Sequence, residues 1–216
     1  PLSPGADVLV VGGGVMGAAV ACFLARDHGC CVTVLERDPL YTRASSALSA
    51  SSIRQQFSTP PNIALSAWSW DFLRRVQAEL SVDEQPPVDI GLVQAGYLYL
   101  ATSQGQADLM RSHAVQQQAG ADVALLQPSE LRARFDRLQV QDIALGCLGL
   151  SGEGWFDGPA LHQAFVRKAK ACGARFIRAQ AIDFDRRHAH EVQGVLTQCG
   201  QRLGCDAVLL AAGAWT

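Results

Sequence analysis

An α/β fold built on a parallel sheet is predicted by three observations. A short apolar run, Val8–Val11, stops at Gly12-Gly13-Gly14, and a run of small and apolar helix formers follows it. A second apolar run, "CCVTVLE" from Cys30 to Glu36, completes a strand-helix-strand unit. Near the end of the sequence, "CDAVLLAAGAW" is another continuous apolar strand, the kind that a parallel sheet buries on both faces.

Composition bounds the partners. The 216 residues suffice for one substantial core or two small domains. Hydrophobic residues make up 49% and charged residues 18%, with a net charge of -2, which favours neither disorder nor a nucleic-acid surface. A small-molecule partner is expected, and no nucleic acid. The seven cysteines contain no C-x-x-C pair, so neither a disulfide framework nor a zinc site has its spacing; no metal and a reducing intracellular setting are expected. The uncharged stretch Val8–Ala25 approaches the ~20 residues of a bilayer span. Its three glycines divide it into strand and helix, so no transmembrane segment is expected. No signal peptide is visible, and a first residue of Pro1 rather than Met is consistent with processing upstream.

In the opening unit Gly12, Gly14 and Gly17 match G-x-G-x-x-G. Gly12 allows the tight turn, Gly14 lets the backbone approach a pyrophosphate, and Gly17 lets helix and strand pack closely. The first helical residues, Val15 and Met16, present free N–H groups to phosphates. Glu36 ends the second strand about twenty residues on, where a carboxylate accepts hydrogen bonds from ribose hydroxyls, and Arg37 follows it. A Rossmann-like dinucleotide site is predicted. The motif does not separate NAD from FAD, since both need these contacts.

The remaining elements follow in order. Small hydroxyl residues crowd Ser45–Ser52; Ser45 and Ser46 are candidates for a loop close to a ligand, and a solvated polar loop is the other reading. Thr59 and Pro60 open a helix whose apolar stripe is Leu65, Trp68, Phe72, Val76 and Leu80, with Trp68 and Trp70 assigned to the core. Strands are expected in "VDIGLVQAGYLYLAT" and "QDIALGCLGLSGEG", with a helix from Gly105 to Ala119 between them. Tyr97 and Tyr99 share a strand face and either line a pocket or pack across strands. A helix carries Leu161, Phe165 and Ala169, with Asp157 as its N-cap and Gly173 past its end. One strand is expected from Arg175 to about Phe184, then a hairpin turning near Gly200. His188 and His190 lie two apart, without an acidic or Cys partner at ligand spacing; His28, His113 and His162 are isolated.

The pieces "VLVVGGGVMG", "VTVLERD", "SIRQQF", "GYLYLA", "EGWFDGPAL" and "AVLLAAGAWT" together resemble the D-amino-acid oxidase family of FAD-dependent oxidoreductases, in family order along essentially the whole chain. The resemblance implies FAD as cofactor. It implies that the late strand lies beside the opening unit, with Ala211, Ala212, Gly213 and Trp215 near the dinucleotide and the Ala181 backbone near the adenine. It implies that Arg54 helps hold a substrate carboxylate, for which a guanidinium is suited by bidentate pairing; a loop-stabilising arginine is the alternative. The implied activity is oxidation of a C–N bond in an amino acid or secondary amine, with hydride passing to flavin. "SIRQQFSTPPNIALS" and "EGWFD" are similar to a mitochondrial member linked to assembly of respiratory complex I, which implies an assembly partner and a weakly catalytic or non-catalytic role as the alternative. An NAD(P)-dependent reductase is disfavoured by "AAGAW" and the Ser-rich loop. The location implied is cytoplasmic in a bacterium and mitochondrial in a eukaryote.

By the same resemblance, residues 6–85 and 155–216 form a discontinuous FAD-binding domain, and 86–154 are part of an inserted mixed-sheet substrate domain. Family members continue past the position of Thr216 with a portion that completes the substrate sheet. A polypeptide of these 216 residues alone is expected to bind FAD weakly and to turn nothing over.

Overall fold

The structure, a computed structural model, describes residues 6–188 and 191–215. In chain order the elements begin with β1 (Ala6–Val11), α1 (Val15–His28), β2 (Val32–Glu36), β3 (Ser52–Ile53), α2 (Pro60–Arg74), α3 (Val76–Leu80), β4 (Val93–Gln94), β5 (Leu98–Ala101) and α4 (Gln106–Gln118). There follow β6 (Val123–Leu126), α5 (Pro128–Arg134), β7 (Leu145–Gly149), β8 (Gly154–Trp155), α6 (Gly158–Ala171), β9 (Arg175–Arg178), β10 (Ala181–His188), β11 (Glu191–Thr197) and β12 (Arg202–Leu210). A single 3-10 turn, Gly213–Trp215, comes last among the described residues.

Two compact units emerge. One draws on the segments up to Ser49, Gln77–Ile90 and from Gly158 onward; the other on Ala50–Val76 and Gly91–Asp157. Residues 50–76 therefore pack with the second unit, whereas the sequence reading groups them with the nucleotide domain.

The first unit has the α/β character expected. Strands β12, β1, β2 and β9 are parallel neighbours, with Val10 level with Leu209 on one side and Val34 on the other. Alternation sends Leu9 and Leu35 to one face and Val10 and Val34 to the other. On the first face Leu9 and Leu35 cluster with Val195, Phe184 and Leu203, so the antiparallel meander β10-β11-β12 folds over the sheet. On the second, Val10 approaches Gly17 of α1, and α1 packs on α6 through small buried residues and an edge-on Phe23–Phe165 contact at 5.9 Å. Each fully buried Leu or Val contributes roughly 1.5–3 kcal/mol, which makes this sandwich the main source of the unit's stability. Gly29, left-handed at φ 63°, stops α1 by donating its N–H to the Leu24 carbonyl.

One strand prediction is corrected here. Arg175–Phe184 is not one strand: β9 ends at Arg178 on the parallel sheet, and β10 begins at Ala181 in the meander. The Ala179 N–H still bonds to the Glu36 carbonyl, whereas the Gln180 carbonyl already accepts from Gln198, so the chain changes ladders between adjacent residues. The hairpin turns at Gly200, φ 81°, as expected. His188 is exposed at the end of β10, and His190 lies outside the described residues.

In the second unit β5-β7-β6 and β3-β8-β4 are antiparallel three-stranded sheets. Its core gathers Ile63, Ala121, Val123 and Cys147, with Phe57 and Tyr99 packed against them. Helix α2 starts at Pro60 after an extended Thr59, but no side-chain hydrogen bond caps it. The predicted stripe holds in part: Phe72, Val76 and Leu80 are buried, the last two on α3, whereas Leu65 and Trp68 are exposed. The buried residues of α2 are Ile63, Trp70, Phe72 and Leu73. Trp70 is in the core as expected, while Trp68 stacks on Phe72 at 5.6 Å. Among the described residues no helix is long and apolar enough to cross a membrane.

Candidate functional site

The glycines after β1 divide their tasks. Gly12 has φ 103°, which an L side chain rarely adopts, and a Cβ there would lie 2.7 Å from the Ala211 carbonyl carbon. A Cβ on Gly17 would meet the Gly12 carbonyl carbon at 3.1 Å and Val10 Cγ1 at 3.2 Å, so loop, helix and strand close only because both residues lack one. Gly14 differs, because beyond its chain neighbours and its own helix no described atom lies within 4 Å of the position its Cβ would take. It is also the N-cap of α1, with no side-chain cap and no acidic residue in the first turn. The free N–H groups of this helix end therefore face open space, with the helix dipole favouring an anion there.

That open space is a cavity of about 740 Å³ in the first unit, a size within the ~300–1,000 Å³ usual for small-molecule sites. Gly12, Gly14, Val15 and Met16 form one wall, Glu36 and Arg37 the end of β2, and Ser45 and Ser46 a stretch of the following loop. Ala181 of the meander and the late turn Ala211, Ala212, Gly213 and Trp215 complete it. Gly17 lies behind the wall. The late turn is tied to the glycine loop by Ala211 N–H to the Val11 carbonyl, 2.8 Å, next to the rung from Gly12 N–H to the Leu35 carbonyl, 2.8 Å.

Sequence reasoning missed several neighbours. Tyr41, Arg43, Phe184 and Arg186 also line the cavity. The guanidinium groups of Arg37 and Arg43 lie 4.3 Å and 5.4 Å from the Trp215 ring centroid, which holds two cations at the rim. Glu36 is more occupied than a ribose acceptor need be: Oε2 accepts from Gly13 N–H at 2.8 Å, and Oε1 from Asp38 N–H at 2.7 Å. Asp38 accepts from the Thr42 hydroxyl at 2.7 Å and from the Leu40 and Thr42 amides, and these bonds hold its carboxyl pKa below the ordinary value. Burial, with Glu36 and Asp38 nearby, raises the Tyr41 phenol. No linear spacing announces these contacts.

Arg54 lies in the second unit, just past β3. Its guanidinium is ringed by Phe57, Tyr97 and Tyr99 at 4.9, 5.5 and 5.8 Å from their centroids, and its buried Nε has no hydrogen-bond partner. Tyr97 and Tyr99 do share a face, 5.7 Å apart. The next residues are pinned by Glu153, which is fully buried and accepts from Gln55 N–H at 2.7 Å and Gln56 Nε2 at 2.9 Å. Gln56 Nε2 also reaches the Tyr97 carbonyl at 2.8 Å. Burial pushes the Glu153 carboxyl pKa up, against the lowering effect of these hydrogen bonds.

The family of FAD dependent oxidoreductases abbreviated DAO matches residues 7–216. The chain is 38% identical to FAD-dependent oxidoreductase domain-containing protein 1 of Xenopus laevis over 98% of its own length and 46% of the relative's. It is 33% identical to glycine oxidase of Geobacillus kaustophilus, covering 97% of this chain and 55% of that one. Among solved structures, L-proline dehydrogenase from P. horikoshii superposes with a TM-score of 0.83 at 25% identity, over 99% of this chain and 54% of the other. The chain thus spans about half the length of the curated relatives it matches. A parallel sheet, a bare helix N-terminus at a dinucleotide-sized cavity and a family match along nearly the whole sequence agree: the chain belongs to the DAO family of FAD dependent oxidoreductases.

Proposed function

We propose that the cavity of the first unit holds FAD and that the protein oxidises a C–N bond of a small amino acid or secondary amine. The observation that carries the cofactor assignment is Gly14, whose missing side chain leaves the α1 N-terminus open to the cavity. In this reading the pyrophosphate rests on the N–H groups of Gly14, Val15 and Met16. Glu36 retains lone pairs for the adenosine ribose beyond the two bonds it accepts from the backbone. Ser45 and Ser46 offer hydroxyls, Arg37 and Arg43 offset phosphate charge, and the backbone at Ala181 meets the adenine. The Ala211–Gly213 turn admits close approach because its residues are small.

Bound FAD supplies a two-electron acceptor for hydride. The chain's own contribution is orientation and electrostatics. In the second unit, taken as part of a substrate domain, Arg54 is the candidate for a substrate carboxylate: aromatic rings surround the guanidinium, and its buried Nε has no hydrogen-bond partner among the described residues. Glu153 fixes the segment that follows. The similarity to glycine oxidase, at 33% identity, supports an amino-acid substrate.

The second reading, implied by the resemblance of "SIRQQFSTPPNIALS" and "EGWFD", is a weakly catalytic or non-catalytic flavoprotein acting in assembly of respiratory complex I. The native protein carrying this sequence tests both. Flavin absorbance after purification or FAD addition is expected, and its absence overturns the cofactor assignment. Anaerobic bleaching of bound flavin by a member of a panel of N-methyl, D- and L-amino acids supports the oxidase. Flavin that stays oxidised with the whole panel favours assembly.

A further inference from the structure

We propose that His162, with Tyr41, is a positioning residue that locks the middle peptide of the glycine loop and so presets the cofactor site. This inference rests on the reading that the cavity takes FAD. His162 is on α6, 5% exposed, on a face otherwise made of Leu161, Ala164, Phe165 and Ala169. An imidazole there is costly unless its nitrogens find partners, and an apolar residue would pack the face as well. Its Nε2 lies 2.8 Å from the carbonyl oxygen of Gly13, 149 residues away in sequence. A carbonyl only accepts, so Nε2 carries the proton and donates it.

The same peptide segment is held from the other side. Gly13 N–H donates to Glu36 at 2.8 Å, so β2 and α6 each tie one polar group of a single glycine. Gly13 is also enclosed: a Cβ there would lie 3.1 Å from Glu36 Cβ, 3.2 Å from the Tyr41 hydroxyl and 3.4 Å from Val34. The contrast with Gly14, open on the cavity side, is the functional point. One glycine is anchored so that the next presents its N–H in a set direction.

Tyr41 provides an independent sign. It has φ 55°, a left-handed conformation that is strained for a non-glycine residue and persists only where surroundings enforce it. The enforcement is visible in the Asp38 carboxylate, which gathers the Leu40 and Thr42 amides and the Thr42 hydroxyl, and in Tyr41 N–H bonded to the Asp38 carbonyl at 2.9 Å. The conformation sets the Tyr41 ring edge-on to the His162 imidazole, centroids 4.2 Å apart, while Tyr41 also lines the cavity. A loop held this way needs little ordering when a phosphate arrives, and preorganisation of that kind raises affinity.

The test is FAD titration of the flavin-free protein by flavin fluorescence, for wild type, His162→Leu and His162→Gln, with thermal unfolding of each in the absence of FAD. Leucine fills the buried site without a donor; glutamine restores an Nε2 donor. His162→Leu is expected to bind FAD about ten-fold more weakly, and His162→Gln to recover most of the loss, with both unfolding close to wild type. Equal FAD affinity in His162→Leu and wild type overturns the proposal. So does an affinity loss in His162→Leu that glutamine leaves unrepaired, or one that only tracks a fall in thermal stability. If wild type itself takes up no FAD, the cavity reading fails, and this inference with it.

Discussion

Gly12 and Ala211 stand against each other, with the space for a Gly12 Cβ filled by the Ala211 carbonyl group and by Ala212 Cα at 3.0 Å. The contact joins the first strand to the last, from opposite ends of the sequence, and it makes the glycine loop and the late turn two walls of one cavity.

Substitutions along this loop are expected to separate folding from binding. Gly12→Ala forces overpacking, which costs about 1–3 kcal/mol, and adds strain of about 1–2 kcal/mol at φ 103°. It should lower both stability and FAD uptake. Gly14→Ala meets nothing beyond its chain neighbours and its own helix, and its φ of -60° suits alanine, so stability without FAD should hold or rise by a few tenths of a kcal/mol while FAD affinity falls. Urea unfolding and FAD titration of the two variants check this; equal stability losses would contradict it.

Arg54 is predicted to act on carboxylate recognition. Arg54→Ala should raise KM for carboxylate substrates with a smaller effect on kcat, because binding to the unreacting end is lost from ground and transition states alike. Arg54→Lys should rescue little, since an ammonium does not pair bidentately. Steady-state kinetics with an amine lacking a carboxylate is the control, and an equal KM rise there would refute the assignment.

Glu153 gives a pH dependence of defined sign. Burial raises its folded pKa above the ordinary 4.5, so the folded protein binds the proton more tightly than the unfolded chain. Its contribution to stability is therefore greatest at low pH, declines as pH rises from the unfolded value through the raised folded one, and is level above that. Denaturant midpoints measured across this range should show the decline in wild type and a flatter profile in Glu153→Gln.

The two tryptophans of α2 should behave differently. Trp70 is 6% exposed and Trp68 is 56% exposed. Trp70→Ala is expected to cost about 3–5 kcal/mol, and Trp68→Ala about 1 kcal/mol, the worth of its stack on Phe72. Urea midpoints of the two variants check this, and a larger loss in Trp68→Ala than in Trp70→Ala would contradict it.

Local chemistry in the sequence determined the strand-glycine-helix-strand opening, because turn, dipole and close packing each demand a residue type at a set spacing. It also marked the acid at Glu36, the late strand and the turn at Gly200, features written in neighbours along the chain. Tertiary structure decided what depends on residues far apart. The split of Arg175–Phe184 into two strands follows from a change of hydrogen-bonding partner that no local pattern encodes. The buried face of α2 depends on what packs against it, so Trp68 and Trp70 could not be told apart by composition. His162, isolated in sequence, becomes a donor to Gly13 only when α6 returns to the first loop, and Glu153 reaches Gln55 and Gln56 only through the pairing of β3 with β8. Spacing can specify groups that bind through one short segment; a site assembled by side chains from separate elements exists only once the chain has closed on itself.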